Sequence, residues 1–349
     1  MPEQRGTPEP TVVVVGASGN VGTGLLRVLQ EVPDVRVRAV CRRPPPPVPP
    51  YDGVEWQALD ITRADAEARL TELCTGADAV VHLAWAIQPV RDEGALRRVN
   101  VDGTAALLRA VRRSGVGHLI FASSLGAYAS SPEDPTTPVD ESWPVTGQPR
   151  SAYSRDKLIV ERMLDAFERD NPGVAVARVR PTLVVQREAA REMSRLFLGP
   201  IVPRALFGLL AGGRIPLFPM PTGTVLQFVH ADDLGRAFVA ILDRRSRGAF
   251  NIAADALDAR ELTAVVGARP VPVPQDLARI VVEVLFRLHA LGMSAGWFDV
   301  AVRTPVMDTG RARLELGWEP KVGTAEALRI LLEGVVDDAT SPSPALAVG

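Results

Sequence analysis

The chain carries only two cysteines, Cys41 and Cys74, and four histidines in 349 residues. Two thiols cannot build a disulfide framework or, alone, a zinc cluster. No two histidines share a metal-ligand spacing, so no metal site is expected. Neither charge sign is in excess: 39 Lys and Arg stand against 41 Asp and Glu, a net charge of -2. That balance argues against a dedicated nucleic-acid binder. Long apolar runs are also missing. The stretch 11–15 is too short to cross a bilayer, and 277–291 is interrupted by Arg279, Glu283, Arg287 and His289. The first ten residues are polar, with no apolar leader segment. The expectation is a soluble, cytoplasmic protein with no membrane partner. With 46% hydrophobic residues, the length suffices for a substantial core in about two domains.

What is present is a repeated alternation of short apolar runs and helical patterns. Strands are expected at 12–15, 35–41, 54–59, 79–84, 118–122 and 175–178. Helices are expected at 21–29, 64–71, 93–114 and 151–170. This order predicts an α/β fold, a Rossmann-type doubly wound parallel sheet covered on both faces. The second half is less regular. It reads as mostly helical at 187–213, loop at 214–223, strand at 225–229 and 249–252, and helix at 232–242, 276–291 and 324–336. Ser341, Pro342, Ser343 and Pro344 mark 337–349 as a disordered tail.

Between the first strand and helix stands Val15-Gly16-Ala17-Ser18-Gly19-Asn20-Val21-Gly22. Gly16 permits a tight turn, Gly19 lets backbone approach a pyrophosphate, and Gly22 lets the helix lie close on the sheet. Ser18, Asn20 and Val21 bring the loop and helix amides to that ligand. The second strand ends in Arg42-Arg43, where an NAD-selecting fold usually offers an acid. Two guanidinium groups suit a 2'-phosphate, so NADP(H) is expected, with NAD as the alternative. Asp60, after the third strand, suits the adenine amino group or a helix N-cap.

Tyr153 and Lys157 stand four residues apart on an expected helix and share a face. An ammonium beside a phenol favours phenolate, which suits proton exchange with an alcohol or alkoxide. Ser124, past the fifth strand, is placed to bind the same oxygen.

With these residues the chain resembles the extended branch of the short-chain dehydrogenase/reductase superfamily, the NAD(P)-dependent epimerase/dehydratase type. The resemblance runs from about Thr11 to Val336. It includes Gly16, Gly19 and Gly22, Asp60-Ile61, His82-Leu83-Ala84, Asn100-Val101-Asp102-Gly103-Thr104, Phe121-Ala122-Ser123-Ser124, Tyr153 with Lys157, and Arg180-Pro181-Thr182. Phe228 to Asp233 and Leu316 to Pro320 match landmarks of its second half. The resemblance implies catalytic roles for Ser124, Tyr153, Lys157 and Asn100. It places Asp60 and Ile61 at the adenine, and Leu83, Ala84, Trp85, Asn100, Tyr153, Lys157 and Pro181 along the rest of the cofactor. It further implies interleaved domains: a dinucleotide-binding unit at 11–182 with returning segments near 225–253, and a smaller C-terminal substrate unit at 183–224 and 254–336. A homodimer through two helices is also implied.

Two departures from the family shape the functional expectation. Tyr128 is followed by Ala129 rather than glycine, and Thr182 to Arg187 lacks the Gly-Pro-Arg element of many nucleotide-sugar enzymes. Leu196, Phe197, Phe207, Leu209 and Leu210 make the substrate region apolar. Trp85 and Ile87 are expected to wall the pocket. The leading expectation is therefore an NADP(H)-dependent oxidoreductase interconverting a carbonyl and an alcohol on a small or largely apolar substrate. The alternatives are an NAD(P)-dependent epimerase or dehydratase acting on a nucleotide sugar, and a nonenzymatic NADP-sensing protein.

Overall fold

In the computed structural model, residues 9–87, 91–198 and 204–347 are described. Strand β1 (Thr11–Val15) is buried along its whole length. Its alternation sends Val12 and Val14 into the core on one sheet face, and Val13 and Val15 into the core on the other. It pairs in parallel with β2 (Arg36–Cys41) and β4 (Ala79–His82), Val12 lying opposite Val37 and Ala79. β3 (Glu55–Ala58), β5 (His118–Ala122) and β6 (Ala175–Pro181) extend the sheet, and the Gly248–Ile252 strand closes one edge. From that edge the seven strands run Gly248–Ile252, β6, β5, β4, β1, β2, β3, all parallel. The order reverses between β1 and β4. Ligands of open α/β sheets bind in the crevice at such a point.

Helix α1 (Asn20–Leu29) and the Ala231–Arg244 helix cover one face. They pack very closely: a Cβ on Gly24 would fall 2.5 Å from the Ala231 oxygen. Helix α2 (Ala66–Cys74) and the Thr104–Ser114 and Ala152–Asp170 helices cover the other. In the second half, Leu183–Val185 pairs with Phe228–His230, and the Thr324–Val336 helix packs behind them. No described helix is long and apolar enough to cross a membrane.

Three segments depart from expectation. The helix expected at 93–114 is interrupted by a wide π-turn, Arg98–Gly103, between Glu93–Arg97 and Thr104–Ser114. Gly103 lies against Ile61, where a Cβ would come within 2.6 Å of the Ile61 Cδ1. The loop expected at 214–223 contains Leu217–Pro221, which pairs in parallel with Arg269–Val273. Both strands are proline-rich. A two-stranded ribbon has only edges, where the missing amides can face outward. The tail expected to be disordered at 337–349 is instead docked through residue 347. Ser341, Ser343 and Leu346 are all buried, with Leu346 in the core beside Val185, Met193 and Phe228.

Candidate active site

The glycine loop leaves β1 directly at the switch point. The Gly16 amide donates to the Val40 carbonyl at 2.8 Å. At φ +92°, a Cβ on Gly16 would fall 2.4 Å from the Ala84 nitrogen. A Cβ on Gly22 would meet the Ala17 oxygen at the same 2.4 Å. Gly19 differs: its Cβ would meet only the Gly16 oxygen, at 3.5 Å, so this side of the loop lies open at the start of α1. A dinucleotide cradle needs this shape. Leu83 donates its amide to Val15, which keeps the β4 end beside the loop. Asn20 is braced by the second half. Its Nδ2 donates to the Val184 carbonyl at 2.9 Å, and Gln186 donates to its Oδ1 at 2.6 Å.

Asp60 does not cap a helix. Its Oδ1 accepts from the Thr62 amide and hydroxyl at 2.9 and 2.8 Å, while α2 begins later, after Asp65. Partial burial pushes the Asp60 carboxyl up, but the Thr62 bonds and the charges of Arg42 and Arg63 outweigh it and hold it below the usual range. Ile61 is buried behind it.

The Ala152–Asp170 helix brings Tyr153 and Lys157 to the sheet edge. Ser151 caps that helix, and the Ser154 hydroxyl donates to the Gly126 carbonyl at 2.6 Å. This anchors Tyr153 over the turn that carries Ser124. Gly126 leaves room for the ring, since a Cβ there would sit 3.0 Å from Tyr153 Cε1. Burial pushes the Tyr153 phenol up to about 12, opposed by its hydrogen bond with Ser124. Burial likewise pushes Lys157 well below the ordinary lysine value. Burial and the Ser124 bond set the level of the phenol here, and the Lys157 ammonium stands 5.7 Å from its ring centroid. The ammonium donates to the Ala122 carbonyl at 2.7 Å and lies over the Trp85 ring, 3.5 Å from its centroid.

Asn100 sits in the π-turn and is fully buried. Its Oδ1 accepts from the Ala86 amide at 2.7 Å, and its Nδ2 donates to the Ala86 carbonyl and to Asp156 at 3.1 Å each. It braces the backbone after Trp85 against the Ala152–Asp170 helix. Pro181 ends β6 opposite Ile252. The Thr182 hydroxyl beside it is buried with no partner among the described residues, as is the Trp85 indole nitrogen. His82 bonds Thr104 at 2.9 Å, and burial pushes it down to about 3, so it is a neutral packing residue.

Trp297 was not among the expected site residues. It comes from the Ala295–Arg303 helix and packs on Tyr153 with ring centroids 4.4 Å apart. Phe197 meets Trp297 edge-on at 5.5 Å. The approach depends on Gly296, where a Cβ would fall 2.7 Å from the Arg150 oxygen. A Gly-Trp pair after Ser294 was the only local signal, and it has no meaning without the tertiary contact.

The sequence model of the NAD dependent epimerase/dehydratase family matches residues 12–253. A protein of Mycobacterium tuberculosis described as uncharacterised is 31% identical over 255 residues, 72% of this chain and 64% of that protein. The chain thus spans less than two thirds of that relative's length. UDP-glucose 4-epimerase of Yersinia pestis is 34% identical over 154 residues, 41% of this chain and 44% of that one. Among solved structures, UDP-glucose-4-epimerase from Stenotrophomonas maltophila with bound NAD and formylated UDP-arabinopyranose aligns at TM-score 0.70 and 21% identity, covering 94% of this chain and 98% of that one. At that identity the likeness speaks for the fold.

These findings correct two expectations. The NADP(H) expectation is overturned by the family description, which names NAD dependence. The geometry supplies a reason. Arg43 donates to the Pro344 carbonyl of the docked tail at 3.2 Å, and the Arg42 charge helps to hold the Asp60 carboxyl down. The small or apolar substrate is overturned as well, because the family is one of epimerases and dehydratases and the relative of stated activity is a UDP-glucose 4-epimerase. Some of the apolar residues that suggested it are used elsewhere. Phe207 and Leu210 form a core with Ala190 and Val335, and the Trp85 face is given to Lys157.

Proposed function

The chain belongs to the NAD dependent epimerase/dehydratase family, and from that membership we propose that it is an NAD-dependent epimerase or dehydratase acting on a nucleotide sugar. The observation that carries this reading is the convergence of Ser124, Tyr153 and Lys157 on one sheet edge beside the open glycine cradle. Gly16, Ser18, Gly19, Asn20, Val21 and Gly22 would hold the pyrophosphate, Asp60 and Ile61 the adenine side, and Leu83, Ala84 and Pro181 the nicotinamide side. Held by these residues, NAD would supply the hydride-accepting and hydride-returning chemistry. Tyr153 takes the hydroxyl proton as the carbonyl forms and gives it back on reduction. Ser124 donates to the same oxygen, and Lys157 supplies positive charge for the phenolate and for ribose hydroxyls. As an enzyme of the extended short-chain dehydrogenase/reductase type, the chain would then show no net cofactor turnover.

Of the two reactions, epimerisation draws the more direct support. Loss of water needs a further acid and base beside the sugar. The carboxylates nearest the pair are committed, Asp156 to Asn100 and Glu161 to Ser123 and Arg180. Residues 11–182 with the Gly248–Ile252 strand would form the cofactor unit, and 183–224 with 254–336 the substrate unit. A homodimer through two sheet-flanking helices accompanies this reading.

The test begins by identifying nucleotide released on denaturing the purified protein. Product analysis by NMR with UDP-, dTDP- and GDP-hexoses follows. Released NAD and a C4 epimer formed without accumulating NADH are the expected results. Retained NADP, or no change in any of the sugars, would overturn the reading.

A further inference from the structure

Of the 39 basic side chains, all but Lys157 and Lys321 are arginine. Lys157 occupies an unusual seat. Among the described residues its ammonium has one hydrogen bond, to the Ala122 carbonyl, and aromatic rings surround it. Trp85 lies at 3.5 Å, Phe121 at 4.9 Å and Tyr153 at 5.7 Å from ring centroid to nitrogen. The indole is held rigidly. It meets Phe121 and Tyr153 edge-on at 6.0 and 6.1 Å, and the Asn100 amide clamps both backbone groups of the next residue, Ala86.

The charged groups around Lys157 leave a gap that the indole fills. His82, on β4, is neutral. Asp156 and Glu161, on the same helix, are engaged by Asn100 and by Arg178 and Arg180 of β6. Burial pushes the ammonium well below the ordinary lysine value, and the Glu161 and Asp156 carboxylates, each shared with those other partners, offset it only in part. The negative face of an indole attracts a cation, most strongly where water is excluded.

We propose that Trp85 is a positioning residue, whose indole face keeps the Lys157 ammonium charged and seated beside Tyr153 and so sets the upper pH limit of the pair. The indole acts through Lys157 and needs no contact with substrate. The catalytic importance of the pair rests on the function proposed above, whereas the charge state of Lys157 does not.

With two lysines, labelling with lysine carrying carbon-13 at Cε gives two lysine side-chain signals, assigned by Lys321→Arg. In the wild type, the Lys157 Hε protons should be shifted upfield by the indole ring current. Trp85→Leu should lower the Lys157 titration midpoint by about one pH unit, the range of a desolvated cation–ring contact, with Trp85→Phe in between. A Leu variant titrating within a few tenths of a unit of wild type, or a wild-type signal without the ring-current shift, would overturn the proposal. Should Trp85→Leu fail to fold by circular dichroism, Trp85→Phe decides alone: a smaller shift the same way supports it, and an unmoved midpoint refutes it. A second arm follows conversion of UDP-glucose, whose alkaline limb in kcat should move down with the midpoint while KM holds. No conversion by wild type counts against the proposed function, and the NMR midpoint still decides the role of Trp85.

Discussion

Replacing Glu161 by Gln removes the charge at the centre of a buried network behind the reactive pair. The Glu161 carboxylate accepts from Ser123 at 2.6 Å and from Arg180 at 3.0 and 3.1 Å, and Arg178 lies 3.3 Å away. All three ionic side chains are buried. Arg178 retains Asp165 and Glu168 as partners. Arg180 retains only neutral acceptors, the Tyr128 hydroxyl and the Glu141 carbonyl. The substitution therefore strands a buried guanidinium, a change that costs roughly 3–5 kcal/mol. That is a large share of the roughly 5–15 kcal/mol of a typical fold. Urea denaturation at pH 7 should show the loss. Adding Arg180→Met should recover part of it, because the stranded charge goes too.

The pH dependence of that loss has a definite sign. Burial pushes the Glu161 carboxyl up, but Arg180, Ser123 and Arg178 outweigh it and hold it below the ordinary value. A depressed carboxyl contributes stability above its unfolded pKa and loses it as pH falls through the folded one. The gap between wild type and Glu161→Gln should thus be full at pH 7 and narrow in acid. A gap under about 1 kcal/mol at pH 7, or one that widens in acid, would refute the ion-pair account.

Tyr153→Phe keeps the ring against Trp297 but has no transferable proton. Turnover of an active nucleotide sugar should fall by about 100- to 10,000-fold, with circular dichroism and NAD titration near wild type. Gly22→Ala places a Cβ 2.4 Å from the Ala17 oxygen. Thermal melts should show a loss of about 1–3 kcal/mol, accompanied by weaker NAD binding. Leu346→Ala should cost up to about 2–5 kcal/mol of tail docking, read as faster proteolysis near residue 340; an unchanged cleavage rate would contradict the docked tail.

The parts of the fold legible in the sequence are those set by short-range patterning. Five consecutive buried residues in β1 followed by three spaced glycines left few other arrangements. Tyr153 and Lys157 were legible for the same reason, since helical spacing alone puts them on one face. What was hidden depends on contacts distant in the chain. Trp297 reaches Tyr153 across more than a hundred residues, and only through the close approach at Gly296. The π-turn was hidden because Asn100 reads as an ordinary helix residue until Ala86 is placed beside it. The two arginines misled because what lies near them, the tail carbonyl that Arg43 meets and the Asp60 carboxyl that the Arg42 charge lowers, is not local in sequence. The tail misled because proline and serine usually mark disorder, whereas here each hydroxyl has a partner. Ser341 bonds Tyr51 at 2.8 Å, and Ser343 donates to the Ser18 carbonyl at 2.6 Å.

Those distant contacts converge on the glycine loop, and the convergence bears on the reaction. Asn20 is tied to Val184 and Gln186, Arg27 of α1 to Asp232 and Gln186, and Ser18 to the tail. Through Val184 and Gln186, the loop that would carry the pyrophosphate is thereby fastened to the part that would cover the sugar. Polar groups of this kind are costly to leave unpaired, so the loop cannot open on one side without loosening the other. A dehydrogenase that exchanges cofactor at each cycle gains nothing from such fastening. On the function proposed above, a reaction that removes a hydride and returns it to the same carbon needs cofactor and sugar held together through both halves, and such fastening would serve it.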